Sequence, residues 1–194
     1  MGSLPPTPPH ILIIGAGVGG LTLAQSLTKK SIPFTIFERD PDPDSRAQGW
    51  ALAVHTIFDR LTTAFPDYMP SIRKTVSHLA PLHHLPTQFM MYNSSDPHKR
   101  TGVETTSENG LLRANRKRLR EWLRTNIDVQ YNKRVVGLEE DEGGVTVRFK
   151  DGTEARGSMA VGADGTRSVG RSSSFCSIVC STPIPSISKV YRSH

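Results

Sequence analysis

A chain of 194 residues, 36% of them apolar and 22% charged, is long enough to bury a hydrophobic core and too short for two full domains, which excludes a wholly disordered polypeptide. The formal charge of +6, from 24 Lys plus Arg against 18 Asp plus Glu, admits a phosphate-bearing ligand but is too modest to make a nucleic-acid-binding protein. Two cysteines, Cys176 and Cys180, supply neither a disulfide framework nor a full set of structural zinc ligands, and so cysteine-poor a chain suits a reducing, cytoplasmic compartment.

Residues 1–9 contain "PPTPP" and read as a disordered lead-in. Met1 and Gly2 open like a myristoylation signal, but Pro6 stands where that signal needs Ser or Thr. "HILIIGAG" is a run of branched apolar residues ending at glycine, the pattern of a strand buried on both faces. From Gly19 to Lys30, Leu21, Leu23, Ala24 and Leu27 recur at helical spacing, and "PFTIFERD" then gives a second buried strand. Glycines interrupt this apolar stretch and no basic region precedes it, so it is neither a signal peptide nor a membrane segment. Strand, helix and strand make a βαβ unit with a right-handed crossover.

Residues 40–112 read as an insertion, with strands at "GWALAVH" and "PTQFMMYN" and a helix at "TIFDRLTTAF". Its "DPDPD" lacks the Gly and Glu of a calcium loop, and the adjacent His83 and His84 diverge on any regular backbone, so neither is a metal site. "NRKRLREWLRT" predicts a helix capped by Asn115, with Leu119, Trp122 and Leu123 as its apolar stripe. "IDVQYN" predicts a third buried strand. "RVVGLEE", "GVTVRFK" and "GTEARGS", separated by glycine turns, predict a three-stranded meander, and "MAVGADG" a fourth parallel strand. Residues 172–194, rich in serine, break from everything before them and read as an irregular tail.

The chemistry is concentrated where the first strand turns into the first helix. Gly15, Gly17 and Gly20 form G-x-G-x-x-G there: Gly15 for the tight turn, Gly17 for approach of the backbone to a pyrophosphate, Gly20 for close packing of helix on strand. Free amides and the positive dipole end of the helix then bind phosphate. Glu38, at the end of the second strand, is placed to accept hydrogen bonds from a ribose diol. Arg116 shares a helical face with Leu119 and Leu123, so helical periodicity predicts that it points inward to clamp a cofactor phosphate while Lys117, Arg118 and Arg120 point out. Asp164 stands at the carboxyl end of the fourth strand, where open α/β sheets bind ligands.

Together, the glycine turn with Glu38, "LLRANRKRLREWL" and "VGADGTRSVGR" resemble the FAD-dependent monooxygenases of the para-hydroxybenzoate hydroxylase type, over residues 10–171. The resemblance implies an α/β, Rossmann-type FAD-binding domain with a parallel sheet, a β-meander crossover and a strand-rich insertion. It implies that Gly15, Gly17, Gly20 and Glu38 hold the ADP part of FAD and that Arg116 and Asp164 also serve the cofactor. "SRAQGWAL" is similar to the family's loop near the flavin, which places Arg46 and Gly49 there. The implied activity is reduction of the flavin by NAD(P)H and transfer of one oxygen atom from O2 to an aromatic or other electron-rich small molecule. Gly170 departs from the family pattern. The serine-rich tail begins where the family proceeds to a further flavin-holding G-D-A segment, so the expectation is a truncated form that is not itself a working enzyme. A non-catalytic nucleotide-binding remnant and an NAD-dependent dehydrogenase are the rival readings.

Overall fold

The computed structural model describes residues 9–45, 51–54, 58–79, 81–82, 88–104, 112–165 and 179–180. Arg46, Gly49, the His83–His84 pair, Ser168, Arg171, nearly all of the lead-in and all of the tail but 179–180 lie outside these residues. The chain divides into two units, one formed by residues 1–45 and 128–194 and the other by residues 46–127.

The first unit begins with β1 (Ile11–Ile14), α1 (Val18–Lys29) and β2 (Phe34–Phe37). Its later elements are β7 (Val129–Gln130), β8 (Val135–Asp141), β9 (Gly144–Phe149), β10 (Glu154–Gly157), β11 (Met159–Gly162) and β12 (Val179–Cys180). One sheet runs in the order β12-β11-β1-β2-β7, and its four strands from β11 to β7 are parallel. The antiparallel meander β10-β9-β8 forms a second sheet.

Alternation along β1 sorts the core into two faces. Leu12 and Ile14 join Phe37, Ala160 and the meander residues Val135, Val145, Val147 and Phe149 in one apolar cluster, with the Phe37 and Phe149 rings 4.7 Å apart. Ile13 and Ile36, paired across β1 and β2, are fully buried on the other face, and α1 contributes Leu21, Ala24 and Leu27 to the core. Each such valine, leucine, isoleucine or phenylalanine contributes about 1.5–3 kcal/mol on burial. The third parallel strand is shorter than "IDVQYN" predicts: only Val129 and Gln130 pair with β2, between Asn126 and Asn132, both at positive φ.

The second unit contains β3 (Ala51–Val54), α2 (Phe58–Thr63), α3 (Ile72–Val76), β4 (Gln88–Asn93), β5 (Asp96–Glu104), β6 (Leu112–Asn115) and α4 (Arg116–Leu123). Two antiparallel pairs, β3 with β6 and β4 with β5, are its sheets. Leu119, Trp122 and Leu123 are buried, Trp122 packs edge-on against Phe65 at 5.4 Å, and its indole N–H donates to the Pro70 carbonyl oxygen at 2.8 Å. An open cleft of about 350 Å³ lies beside this pair, walled by Met69, Ile72 and Arg73 among others. Among the described residues no helix is long and apolar enough to cross a membrane.

Candidate functional site

β1, β2 and β11 end in step, with Ile14 in register with Phe37 on one side and Gly162 on the other. The chain leaving β1 is fastened to both neighbours. Gly15 N–H donates to the Phe37 carbonyl at 2.7 Å, and Ala163 N–H donates to the Ile14 carbonyl at 2.7 Å. Gly15 takes φ +107°, and a Cβ there would lie 2.6 Å from the Ala163 carbonyl oxygen and 2.8 Å from Asp164 Cα. A Cβ at Gly20 would collide with the Gly15 carbonyl oxygen and press on Ala163 Cβ. These two glycines therefore let the helix start, the turn and the end of β11 pack at backbone distance.

Gly17 is different. Its φ of −76° and ψ of −176° suit any residue, and a Cβ there would meet only the Ala163 carbonyl oxygen, at 3.9 Å. It is the N-cap of α1, supplies no side-chain cap, and the first helical turn contains no acidic residue. The first amides of a helix have no acceptor within it, so the open space at Gly17 adjoins uncapped donors and the positive dipole end. That is the donor set a phosphate requires.

Glu38 is buried, with 9% of its surface exposed. Its Oε2 accepts from Ala16 N–H in the glycine turn at 2.9 Å and its Oε1 accepts from Asp40 N–H at 3.1 Å. Each carboxylate oxygen retains a further lone pair for a diol. The main chain of Glu38 is held on both sides as well: its N–H donates to the Gln130 carbonyl and its carbonyl accepts from Lys133 N–H, each at 2.8 Å. Asp164 is half-buried two residues beyond β11, ahead of Gly165 at φ +81°. Gly15, Gly17, Gly20, Glu38 and Asp164 thus gather at the carboxyl edge of one parallel sheet.

Arg116 belongs to the second unit, where the inward expectation is corrected. It is exposed, although Leu119 and Leu123 on the same helical face are buried. Arg116 is the first residue of α4, and a helical side chain leans back over the turn before its own Cα. At the first position there is no earlier turn to cover, so Arg116 lacks the packing that buries Leu119 and Leu123. Asn115 caps α4 as its position predicts, its Oδ1 accepting from Arg118 N–H at 3.1 Å. Arg118, expected to be merely solvated, donates from Nη1 to the Ser77 carbonyl at 3.1 Å. Helical periodicity carries no signal for that contact, because Ser77 is 41 residues distant. Sequence reasoning likewise missed Ala16 and Lys133, whose contacts with Glu38 are made by main-chain N–H groups and leave no side-chain signature.

Residues 9–182 match the family of FAD binding domains, and the chain belongs to that family. It is 50% identical over 162 residues to the FAD-dependent monooxygenase thnD of Trichoderma harzianum, a match covering 84% of this chain and 40% of that protein. The fold is shared with the crystal structure of FqzB, at a TM-score of 0.68 and 22% identity over 86% of this chain and 40% of that one. Klebsiella pneumoniae HpxO, solved with FAD and uric acid, superposes at a TM-score of 0.59 and 23% identity, over 84% of this chain and 40% of that one. The chain spans about 40% of the length of thnD and a similar share, 42%, of a probable FAD-dependent monooxygenase of Arthroderma benhamiae to which it is 37% identical.

Proposed function

We propose that these residues hold FAD for an NAD(P)H-dependent monooxygenase acting on an aromatic or other electron-rich small molecule. The observation that carries the reading is the pairing of Gly17, whose missing side chain leaves room beside uncapped helix amides, with the buried Glu38 carboxylate on the same sheet edge. The amides at the start of α1 bind the pyrophosphate, and Glu38 accepts from the ribose hydroxyls of the ADP part. Ala16 and Asp40 orient the Glu38 carboxylate so that its free lone pairs meet the diol. Asp164, Arg116, Arg46 and Gly49 are assigned to the cofactor by family resemblance. Bound FAD, reduced by NAD(P)H, supplies the oxygen-activating chemistry. No acid or base of this chain is assigned a proton transfer. The cysteine-poor composition supports a cytoplasmic setting, and neither a nucleic acid nor a membrane figures as partner.

The test is to equilibrate the chain with FAD or with NAD and pass each mixture through gel filtration. Retention of flavin absorbance with the protein, and no retention of NAD, is expected. Retention of NAD in preference to FAD would overturn the reading in favour of a dehydrogenase.

A further inference from the structure

We propose that Lys133 is a positioning residue for Glu38, through which the turn between β9 and β10 sets the grip on the ADP ribose; the proposal rests on the FAD reading above. Lys133 is tied to that turn at three points. Its Nζ donates to Asp151 Oδ2 at 2.6 Å and to Thr153 Oγ1 at 2.7 Å, and lies 5.3 Å over the centre of the Phe149 ring. The turn is itself braced: Asp151 Oδ1 accepts from Thr153 N–H at 3.0 Å and from Thr153 Oγ1 at 2.7 Å, while Phe149 N–H donates to the Thr153 carbonyl at 2.9 Å. The Lys133 side chain is only 23% exposed, so the ion pair is partly shielded from solvent.

The other end of Lys133 reaches the ribose site. Its N–H donates to the Glu38 carbonyl at 2.8 Å, and the preceding Asn132, at φ +60°, donates from its own N–H to the Asp40 carbonyl at 2.9 Å. Asp40 N–H in turn holds Glu38 Oε1. Residues 132 and 133 therefore grip the chain on both sides of the peptide that aims the carboxylate. Phe149, under the ammonium, packs on Phe37, the residue before Glu38. A lysine with four rotatable bonds gains little from being immobilised on a sheet rim unless it fixes something else. What it fixes here is the segment carrying Glu38. Arginine would keep the ion pair with Asp151, whereas methionine would keep only the stem.

The experiment is a fluorescence titration of FAD against the chain and its Lys133→Met, Lys133→Arg, Glu38→Ala and Glu38→Ala/Lys133→Met variants. Lys133→Met is expected to weaken FAD by about threefold to tenfold, the range of coupled neighbours. Lys133→Arg is expected to restore affinity to within about twofold, and Lys133→Met to add less than about twofold once Glu38 is gone. An equal loss in both backgrounds, or no loss in the native one, would overturn the proposal as mere loosening of the meander. Failure of the FAD reading shows separately, as equal affinity of the native chain and Glu38→Ala, and takes the proposal with it. Amide hydrogen exchange gives a readout without ligand: the Ala16 amide, which donates to Glu38, exchanges faster in Lys133→Met while the Val147 amide keeps its rate. Unchanged exchange at Ala16 would also overturn the proposal.

Discussion

A methyl group added at Gly20 would run into the Gly15 carbonyl oxygen, whereas one added at Gly17 would meet nothing closer than the Ala163 carbonyl oxygen at 3.9 Å. The two glycines of one motif therefore answer to different demands, folding at position 20 and ligand access at position 17. Gly20→Ala is expected to cost about 1–3 kcal/mol of stability in a urea melt, as overpacking does. Gly17→Ala is expected to cost less than about 1 kcal/mol, the scale of an N-cap change, while still weakening FAD. Equal stability losses in the two variants would contradict this division. The spacing of the glycines and the carboxylate at the strand end were legible in the sequence because both follow from local periodicity. The burial of Glu38 was not, since its partner Ala16 lies 22 residues away and donates through the main chain. The exposure of Arg116 was not legible because helical periodicity describes the middle of a helix, and Arg116 begins one.

Among the elements, β1, α1, β2 and the meander announce themselves by apolar period and glycine turns. β5 does not: its "DPHKRTGVE" has no apolar alternation, and its extended state comes from pairing with β4. β6 is four residues, Leu112 and Ala114 buried and alternating with Arg113 and Asn115, and it runs straight into α4, too short for an alternating pattern to register. α3 is five residues, too short for a helical period to register. The meander also carries the molecule's clearest electrostatics. The Arg156 fork donates to Asp141 Oδ1 at 2.6 Å and Oδ2 at 2.8 Å, and with the Gly143 amide it pulls the Asp141 carboxyl down to about 2. Lys133, then Thr153, hold Asp151 well below the usual carboxylate range. Both folded values lie below the unfolded ones, so this stabilisation is present in full above the ordinary carboxylate range near pH 4 and is lost as pH falls through the folded values. A carboxyl NMR titration of Asp141 is expected to show a midpoint near 2 that rises toward the ordinary range in Arg156→Gln. A midpoint indifferent to that substitution would contradict the assignment.

At the scale of the whole molecule, the first unit closes its core between a parallel sheet, a helix and a meander, while the β4–β5 hairpin of the second unit is a two-stranded sheet among the described residues. Met91 and Tyr92 on β4 are 59% and 61% exposed. A two-stranded hairpin with an uncharged edge strand is marginal and prone to edge pairing. Met91→Lys is therefore expected to lower concentration-dependent light scattering by the chain, and scattering unchanged by that substitution would show that association arises elsewhere. Fold class was legible at this scale because a βαβ unit, a meander and a strand ending in "GADG" have few ways to assemble. In the second unit β3, α2, β4 and α4 fall where the apolar pattern places them, whereas the pairing of β3 with β6 joins residues about sixty apart and leaves no local signal.

The central claim is that the glycine turn and Glu38 together bind the ADP part of FAD. It is tested most directly by fluorescence titration of FAD against the native chain, Gly17→Val and Glu38→Ala. Each substitution is expected to weaken binding by at least about tenfold, the order of one or two lost hydrogen bonds to a charged group. Equal affinity in all three proteins would contradict the account.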